Sequence, residues 1–428
     1  MGEAWAGMYV GFALLTSGAD QYVGYWDARR RLVVAHRQLD GDSPWVRQVL
    51  DETLGWDSHN HLSLGVDRGG HLHVSGNMHN DPMVYFRTRV PGDVGTLTRY
   101  DHLVDPGTEG SVTYPEFAHR QDGRLVFSHR NGGSGDGATY VNIYDEAAQS
   151  WTRLLETPLF DGSDRDGRGS WSAYPQGPEL GPDGWFHLLW MWRETPDAAT
   201  NSLLTYARSR DLVSWVDAHG RPVEVPFTYG TGDLVDPVPP RGGLLNGNAR
   251  LGFGADGSVH VIYHKYDADG LSQIWAARPG GVESIGEPGS SWEIRRLTEW
   301  ERRWDFGGHG TLDFEVEVFG SEAQPDGRVR VDLRAFGERR SIVMDQELRS
   351  LGEGPTSPWP DGLDVVRGDF PGLQVNMLHG RGVGSGGGRY VLRWESLPEN
   401  RDRPYADHPQ GGPLEVVRLP EVQDGPAG

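Results

Sequence analysis

No cysteine occurs in the 428 residues, so a disulfide framework and a thiolate-held metal are both excluded. Long apolar runs are missing too. The stretch from Tyr9 to Leu15 is too short to span a bilayer, and the Met-Gly-Glu-Ala-Trp start lacks the basic segment that opens a secretory leader. A secreted or periplasmic protein whose leader has been removed is the expectation, with the cytoplasm as the alternative and no membrane partner. Lysine is all but absent, Lys265 being the single one, so basic chemistry falls to arginine. Positive charge is scarce: 40 Lys and Arg face 61 Asp and Glu, a formal net charge of −21. A broad nucleic-acid surface needs a basic face and is excluded. An acidic polymer is repelled at long range, so an anionic substrate has to be met by a local cluster of Arg and His in a cleft, where near charges outweigh distant ones.

What is abundant is turn chemistry. There are 61 Gly and 28 Pro between short runs rich in Val, Tyr, Trp and Phe, the composition of many short strands joined by tight turns. The turns recur as Asp67-Arg68-Gly69-Gly70, Asp122-Gly123, Asp183-Gly184, Asp256-Gly257 and Asp326-Gly327. Each joins two strands, a third such as Tyr140–Tyr144 or Leu203–Arg208 follows, and closing strands begin near Trp151, Trp215 and Trp292. Four strands per repeat is a propeller blade. The units run at about 7–50, 59–100, 112–156, 173–225, 246–298, 312–350 and 372–418. The expected fold is therefore all-β, a single seven-bladed β-propeller domain of four-stranded antiparallel blades. The last unit carries Gly384-Ser-Gly-Gly-Gly388 in place of an Asp-Gly turn and is expected to pair with N-terminal residues to close the ring. Two β-sandwiches are the alternative.

The stretch from Asp57 to Arg89 packs five histidines into a hairpin pattern. His59 precedes the first strand and His79 follows the second, so both fall at one end, with Asn60 and Asn77 beside them. The next hairpin repeats the geometry with Tyr114 in the place of His59 and Arg130 near that of His79. The following ones offer Tyr174 and Arg193, then Asn246 and Asn248 with His264 and Lys265. In a propeller the equivalent ends of all blades meet on one face, so these residues converge although they are remote in sequence.

His59-Asn60, Gly76-Asn77-Met78-His79, Tyr114-Pro115, Ser128-His129-Arg130-Asn131 and Tyr174-Pro175 resemble the motifs of BNR-repeat, seven-bladed propeller polysaccharide lyases, among them ulvan lyases and rhamnose-glucuronate lyases. The resemblance covers roughly residues 5–300. It departs at Trp192-Arg193, where some members carry a histidine. It implies cleavage of a glucuronate-containing glycan by β-elimination, and the residue types suit that chemistry. The C5 proton of a uronate becomes acidic only when its carboxylate is neutralised, a task for an arginine that stays charged and holds two oxygens at once. A His or Tyr takes the proton and a second one protonates the departing oxygen. The catalytic set is then His59, His79, Tyr114 and Arg130, with either His79 or Tyr114 as base and His59 supporting or sharing that role. Asn60, Asn77, Tyr174, Arg193, Asn248, His264 and Lys265 are the substrate-binding candidates.

No cofactor is required for this chemistry. A structural calcium or other divalent ion is an open possibility, since Asp161–Gly167 has a loop spacing like that of calcium sites and His71-x-His73 has two imidazoles on one strand. The expected partner is an acidic polysaccharide and the expected state a monomer. Three other functions fit the same architecture: a sialidase-like hydrolase built on Arg130, Arg193 and Arg250 with Glu116 or Glu179, a non-catalytic glycan-binding propeller using some of the 16 Trp, and a protein scaffold.

Overall fold

The recurring Asp-Gly turns share one construction. The side chain of Asp122, Asp183, Asp256 or Asp326 accepts a hydrogen bond from the backbone N–H two residues on, at 3.0–3.1 Å, and Asp67 accepts from His71 N–H at 2.9 Å. The glycines that follow, Gly70, Gly123, Gly184, Gly257 and Gly327, all have φ between 75° and 82°, a conformation that costs glycine nothing. Each turn thus pins a hairpin and with it the register of an antiparallel pair.

The computed structural model describes residues 1–40, 43–163, 169–281, 292–355, 359, 362–382 and 387–419. They form a seven-bladed β-propeller. The first sheet comprises Ala13–Ser17, Asp20–Trp26, Arg31–Gln38 and Val46–Thr53. The second comprises Leu62–Val66, Leu72–Gly76, Tyr85–Thr88 and Leu97–Tyr100. The third comprises Val112–His119, Leu125–Asn131, Ala138–Asp145 and Ser150–Arg153. Ser172–Leu180, Phe186–Arg193, Asn201–Ser209 and Trp215–Val216 make the fourth. Ala249–Phe253, Val259–Tyr266, Ser272–Pro279 and Trp292–Arg296 make the fifth. The sixth holds Val316–Ala323, Val329–Ala335, Glu338–Met344 and Ser350–Glu353. The seventh has three strands, Gln374–His379, Tyr390–Ser396 and Glu415–Arg418. Neighbours in every sheet are antiparallel and follow chain order. The ring closes through the N-terminus: Glu3–Ala4 pairs with Gly412–Pro413, and Leu15 bridges Arg381. The glycine run from Gly384 lies largely outside the described residues.

Burial follows from stacking sheet on sheet. Leu62–Val66 and Leu72–Gly76 are buried at every position because adjacent sheets cover both of their faces, whereas the outer strand Val46–Thr53 is mostly exposed. Contact is close enough that a Cβ on Gly65 would stand 2.8 Å from Leu125 and 2.9 Å from Phe117 of the next sheet. Apolar clusters join sheets seven, one, two and three, then three to four, four to five and five to six. Among the described residues none joins six to seven. There, Val329–Ala335 alternates strictly, with Val329, Val331, Leu333 and Ala335 buried and Arg330, Asp332 and Arg334 on the other face. No helix among the described residues is long and apolar enough to cross a membrane.

Candidate active site

Side chains gather where the first strands begin and the second strands end. His59 stands in the turn before Leu62–Val66. His79 opens a short strand, His79–Asp81, that adds to the axial edge of the third sheet by pairing with Val112 and Thr113. Asn77 and Asn80 on either side of it have φ of 67° and 63°, a left-handed conformation that asparagine tolerates, and together they turn the chain across the mouth. Tyr114 also has a positive φ, 58°, rare for so bulky a residue. It sits in a register break between Thr113 and Glu116, a bulge that re-aims the tyrosine out of the strand's regular alternation.

The two imidazoles share one carboxylate. His59 Nδ1 donates to Asp57 Oδ1 at 2.7 Å and His79 Nδ1 donates to Asp57 Oδ2 at 2.5 Å, with the rings stacked 3.9 Å apart. Asp402, from the connection after the second strand of the seventh sheet, lies 3.7 Å from His59 Nδ1. It is itself held by the N–H and hydroxyl of Thr311, at 3.2 and 3.1 Å. Burial opposes charge on Asp57, but the donors on His59 and His79 outweigh it and keep the carboxyl well below its ordinary range. Burial likewise opposes a charged His59, and the attraction of Asp402 and Asp57 overrides it, raising the pKa to about 9.

Beyond the histidines runs a chain of aromatic rings and guanidinium groups. Tyr114 lies 6.2 Å from the His59 ring, and the Arg130 guanidinium lies 4.9 Å from the Tyr114 ring. Arg130 Nε donates to Gly132 O at 3.1 Å and Nη1 donates to the Tyr174 hydroxyl at 3.3 Å. Its Nη2 is buried and has no acceptor among the described residues. Arg193 stacks 4.6 Å from the Tyr174 ring. It donates to Ser134 Oγ at 3.2 Å and to Asn246 Oδ1 at 3.1 Å, while Ser134 bonds the Tyr174 hydroxyl at 2.7 Å. Burial, and then the neighbouring Tyr174, push the Tyr114 phenol up to about 12. Tyr174 goes the other way: burial would raise it, but Arg193, Arg130 and the Ser134 bond lower it.

His59, His79, Tyr114, Arg130, Tyr174 and Arg193 therefore come together, as expected from their repeat positions. Asn60 lies at their edge, buried, with Oδ1 unpartnered. Four other binding candidates are engaged elsewhere. Asn77 Nδ2 donates to Glu52 Oε2 at 2.7 Å and Thr53 O at 3.3 Å, tying the mouth to the outer strand of the first sheet. Asn248 bonds the backbone of Val316 and Val318 at 2.9 and 2.8 Å and so joins the fifth sheet to the sixth. The His264 ring is fully buried beside Trp304, donates to Gly243 O at 2.7 Å, and is pushed down to about 4 by burial. Lys265 pairs with Asp236 and lies 4.4 Å from the Trp275 ring. In each case the fold itself supplies a partner, as it does where a buried polar group left unpaired would cost about 1–3 kcal/mol. Arg250, the third arginine of a sialidase-like triad, is taken up by the carbonyls of Gly247, Ala249 and Phe319.

Asn246, offered by its repeat position, joins the cluster through Arg193, and Asp57, Asp402 and Ser134 complete it beyond the residues offered as candidates from the sequence. Asp57, His59 and His79 place three ligand atoms within 4.8 Å of one another, the one such group among the described residues, so a divalent ion could be held there in competition with the Nδ1–H protons that His59 and His79 donate to Asp57. His71 and His73 do not share a site: His71 Nδ1 donates to Thr88 O, and both nitrogens of His73 are bonded within the blade. The calcium-like spacing at 161–167 falls largely outside the described residues.

Two solved structures share the fold across nearly the whole chain. One is a polysaccharide lyase with TM-score 0.63 and 13% identity, covering 96% of this chain and 90% of that one. The other is a PL25 ulvan lyase bound to a glucuronate-(1-4)-rhamnose-3-sulfate chain, with TM-score 0.63 and 11% identity, covering 98% and 94%. By sequence the chain is 38% identical over 87 residues to the short isoform of an ulvan lyase from Alteromonas sp. (strain LOR), a match spanning 20% of this chain and 16% of that protein. It is 32% identical over 66 residues to a long isoform from Glaciecola sp. (strain KUL10), spanning 15% and 6%. The match that covers most sequence is to the model of the BNR repeat-containing family over residues 20–300, about two thirds of the chain and the part that carries His59, His79, Tyr114, Arg130, Tyr174 and Arg193, and it is to this family that the chain belongs.

Proposed function

We propose that the chain is a polysaccharide lyase that cleaves a glucuronate-containing, rhamnose-bearing glycan of the ulvan type by β-elimination. The observation that carries this is the buried Arg130 guanidinium, with Nη2 unpartnered beside Tyr114 and Tyr174. A buried donor with no acceptor is costly unless a ligand supplies one, and a uronate carboxylate does so at two points. Arg130 and the Tyr174 hydroxyl neutralise the carboxylate and acidify C5–H. In the form that accepts a proton, His79 donates Nδ1–H to Asp57 and presents the Nε2 lone pair to that hydrogen. The electron pair of the C5–H bond becomes the C4–C5 double bond as the C4–O bond breaks. Tyr114, whose phenol is protonated at neutral pH, donates to the departing oxygen, and His59 supplies positive charge beside it. None of these steps calls for a cofactor. We take the enzyme to work as a monomer outside the cytoplasm, where such a polymer is met.

The test is ulvan incubated with the purified chain. A lyase releases an unsaturated uronate that absorbs in the ultraviolet. New reducing ends without that absorbance would make it a hydrolase. Arg130→Ala is expected to lower kcat by about 10²–10³, and Arg130→Lys to restore little, because a point charge does not reproduce the planar fork. Near-parental turnover in Arg130→Lys would end the two-point role.

A further inference from the structure

Among the described residues the propeller is open between the sixth and seventh sheets. A cleft of about 950 Å³ occupies the seam where no apolar cluster joins the neighbours. It runs from Glu317 and Gln374, at the mouth-side starts of two first strands, to Glu322 and His379 near their far ends. Glu399, which lines the mouth-side end, is three residues from Asp402, the carboxylate facing His59. The cleft is therefore continuous in the chain with the catalytic mouth without being part of it.

Its lining is unlike the rest of this acidic protein. Five arginines (Arg330, Arg334, Arg339, Arg340 and Arg389) line it with four carboxylates, in a chain whose overall charge is −21; Arg330 pairs with Glu322 and Asp332, Arg334 with Glu317, and Arg340 with Glu338 and Glu353. One of those carboxylates, Glu399, is raised to about 7, by burial first and then by Glu317 and Asp313, so its negative charge is partly withdrawn at neutral pH. Arg334 Nε and Arg340 Nε are buried donors without acceptors. Arg339 and Arg389 are exposed and enter no ion pair among the described residues. Flat apolar surface is present as well. The Phe319 ring, 38% exposed, carries the Arg339 guanidinium 5.1 Å away, and the Trp359 ring is stacked on His379 at 4.8 Å. Unpaired guanidinium donors beside aromatic faces are what an anionic sugar requires: donors for carboxylate or sulfate oxygens and a face for the C–H side of the ring.

We propose that this cleft is a second, non-catalytic carbohydrate site that holds an anionic stretch of the polysaccharide, uronate or sulfated sugar, while another part of the same chain is cut at the mouth. The proposal rests on the reading of the protein as a lyase for an acidic glycan. Its effect is avidity: a polymer spanning both sites stays bound between cuts, whereas a short oligosaccharide fills only the mouth.

The double variant Arg339→Ser, Arg389→Ser tests it, because both side chains are exposed and without ion pairs, so the fold does not depend on them. Affinity electrophoresis through a gel containing ulvan is the first measurement, with a neutral dextran gel as control. Retardation of the parent by ulvan and not by dextran, weakened about fivefold or more in the double variant, supports the site. Equal retardation of parent and variant overturns it. The second measurement compares kinetics on ulvan polymer and on a tetrasaccharide of the same repeat. The expected result is a KM on polymer raised about fivefold with tetrasaccharide kcat/KM unchanged. An equal fall on both substrates, or no change on either, overturns it. If the parent does not cleave ulvan at all, the lyase reading fails, and electrophoresis alone still decides the cleft.

Discussion

His73 and His59 are each within hydrogen-bond reach of an aspartate in the same part of the chain, and what surrounds them separates their roles. His73 has no exposed surface, and both of its nitrogens are used: Nε2–H donates to Asp67 at 3.2 Å and Nδ1 accepts from the Tyr85 hydroxyl at 2.7 Å. The Tyr85 oxygen in turn accepts from Trp151 Nε1–H at 3.1 Å. The fourth sheet repeats the device, with His187 between Asp183 at 3.0 Å and the Tyr206 hydroxyl at 2.6 Å. Burial outweighs the nearby carboxylate and pushes His73 down to about 4 and His187 below its ordinary value. These are neutral staples that join turn, second strand and third strand. At the mouth, His59 and His79 give only Nδ1–H to a carboxylate, and Nε2 has no partner among the described residues. Two carboxylates overcome burial at His59, where one does not at His73. A histidine beside an aspartate is thus either a rivet or a working group, according to whether the fold occupies its second nitrogen.

The sharpest way to break this comparison is to remove the carboxylate from each kind of pair. Asp57→Asn is expected to lower kcat by about 10²–10⁴, because both rings lose the acceptor that fixes tautomer and orientation, with little change in thermal midpoint. Preserved turnover in Asp57→Asn would show that the mouth pair is also only structural. A comparable loss of activity is expected for His79→Asn, and its pH profile separates base from acid. If His79 takes the proton, the acid limb of kcat disappears in His79→Asn and survives in Tyr114→Phe. If Tyr114 takes it, activity in the parent keeps climbing into alkaline pH, since the phenol stands at about 12.

Interior staples respond differently. Asp67→Asn is expected to cost about 2–4 kcal/mol of unfolding free energy in urea titrations, since it leaves buried groups imperfectly paired, while kcat per folded molecule stays at the parental value. Loss of kcat without loss of stability would move His73 into the catalytic set.

The same contrast explains which parts were legible in the sequence. Turn chemistry announced the sheets, because Asp-Gly pairs at repeating intervals have one favoured construction. The repeat also put His59, Tyr114 and Tyr174 at matching strand starts, and Arg130 and Arg193 at matching strand ends. Spacing cannot tell which way a polar side chain turns once it arrives. Asn246 and Asn248 are two residues apart, yet the first meets Arg193 while the second staples two sheets. Asn77 is spent on a left-handed turn and a bond to Glu52. Asp57 was hidden among the histidines it orients. Asp402 comes from the far end of the chain, outside any repeat position, and only ring closure brings it to His59. The polar seam before the seventh sheet was written in the alternation of Val329–Ala335, which reads as a half-buried strand and not as one covered on both faces.

Asp402 supplies the smallest and most specific test. Burial alone would hold His59 neutral, and Asp57 is shared with His79, so the second carboxylate is what lets His59 keep its proton to about 9. A histidine whose folded pKa lies above its unfolded value of about 6.5 stabilises the fold fully below that value and loses the contribution as pH rises through the folded pKa. The parent should therefore lose stability between about 6.5 and 9, on the order of 1–2 kcal/mol once the sharing of charge with Asp57 is allowed for. Asp402→Asn keeps the hydrogen-bonding shape toward Thr311 and removes the charge, so the loss should shrink and shift to lower pH. Urea midpoints from pH 6 to pH 9.5, together with the chemical shift of the His59 ring, read both quantities. An unchanged window in Asp402→Asn would mean that Asp57 alone holds the proton on His59, and that the seventh sheet's contribution to the mouth is purely one of shape.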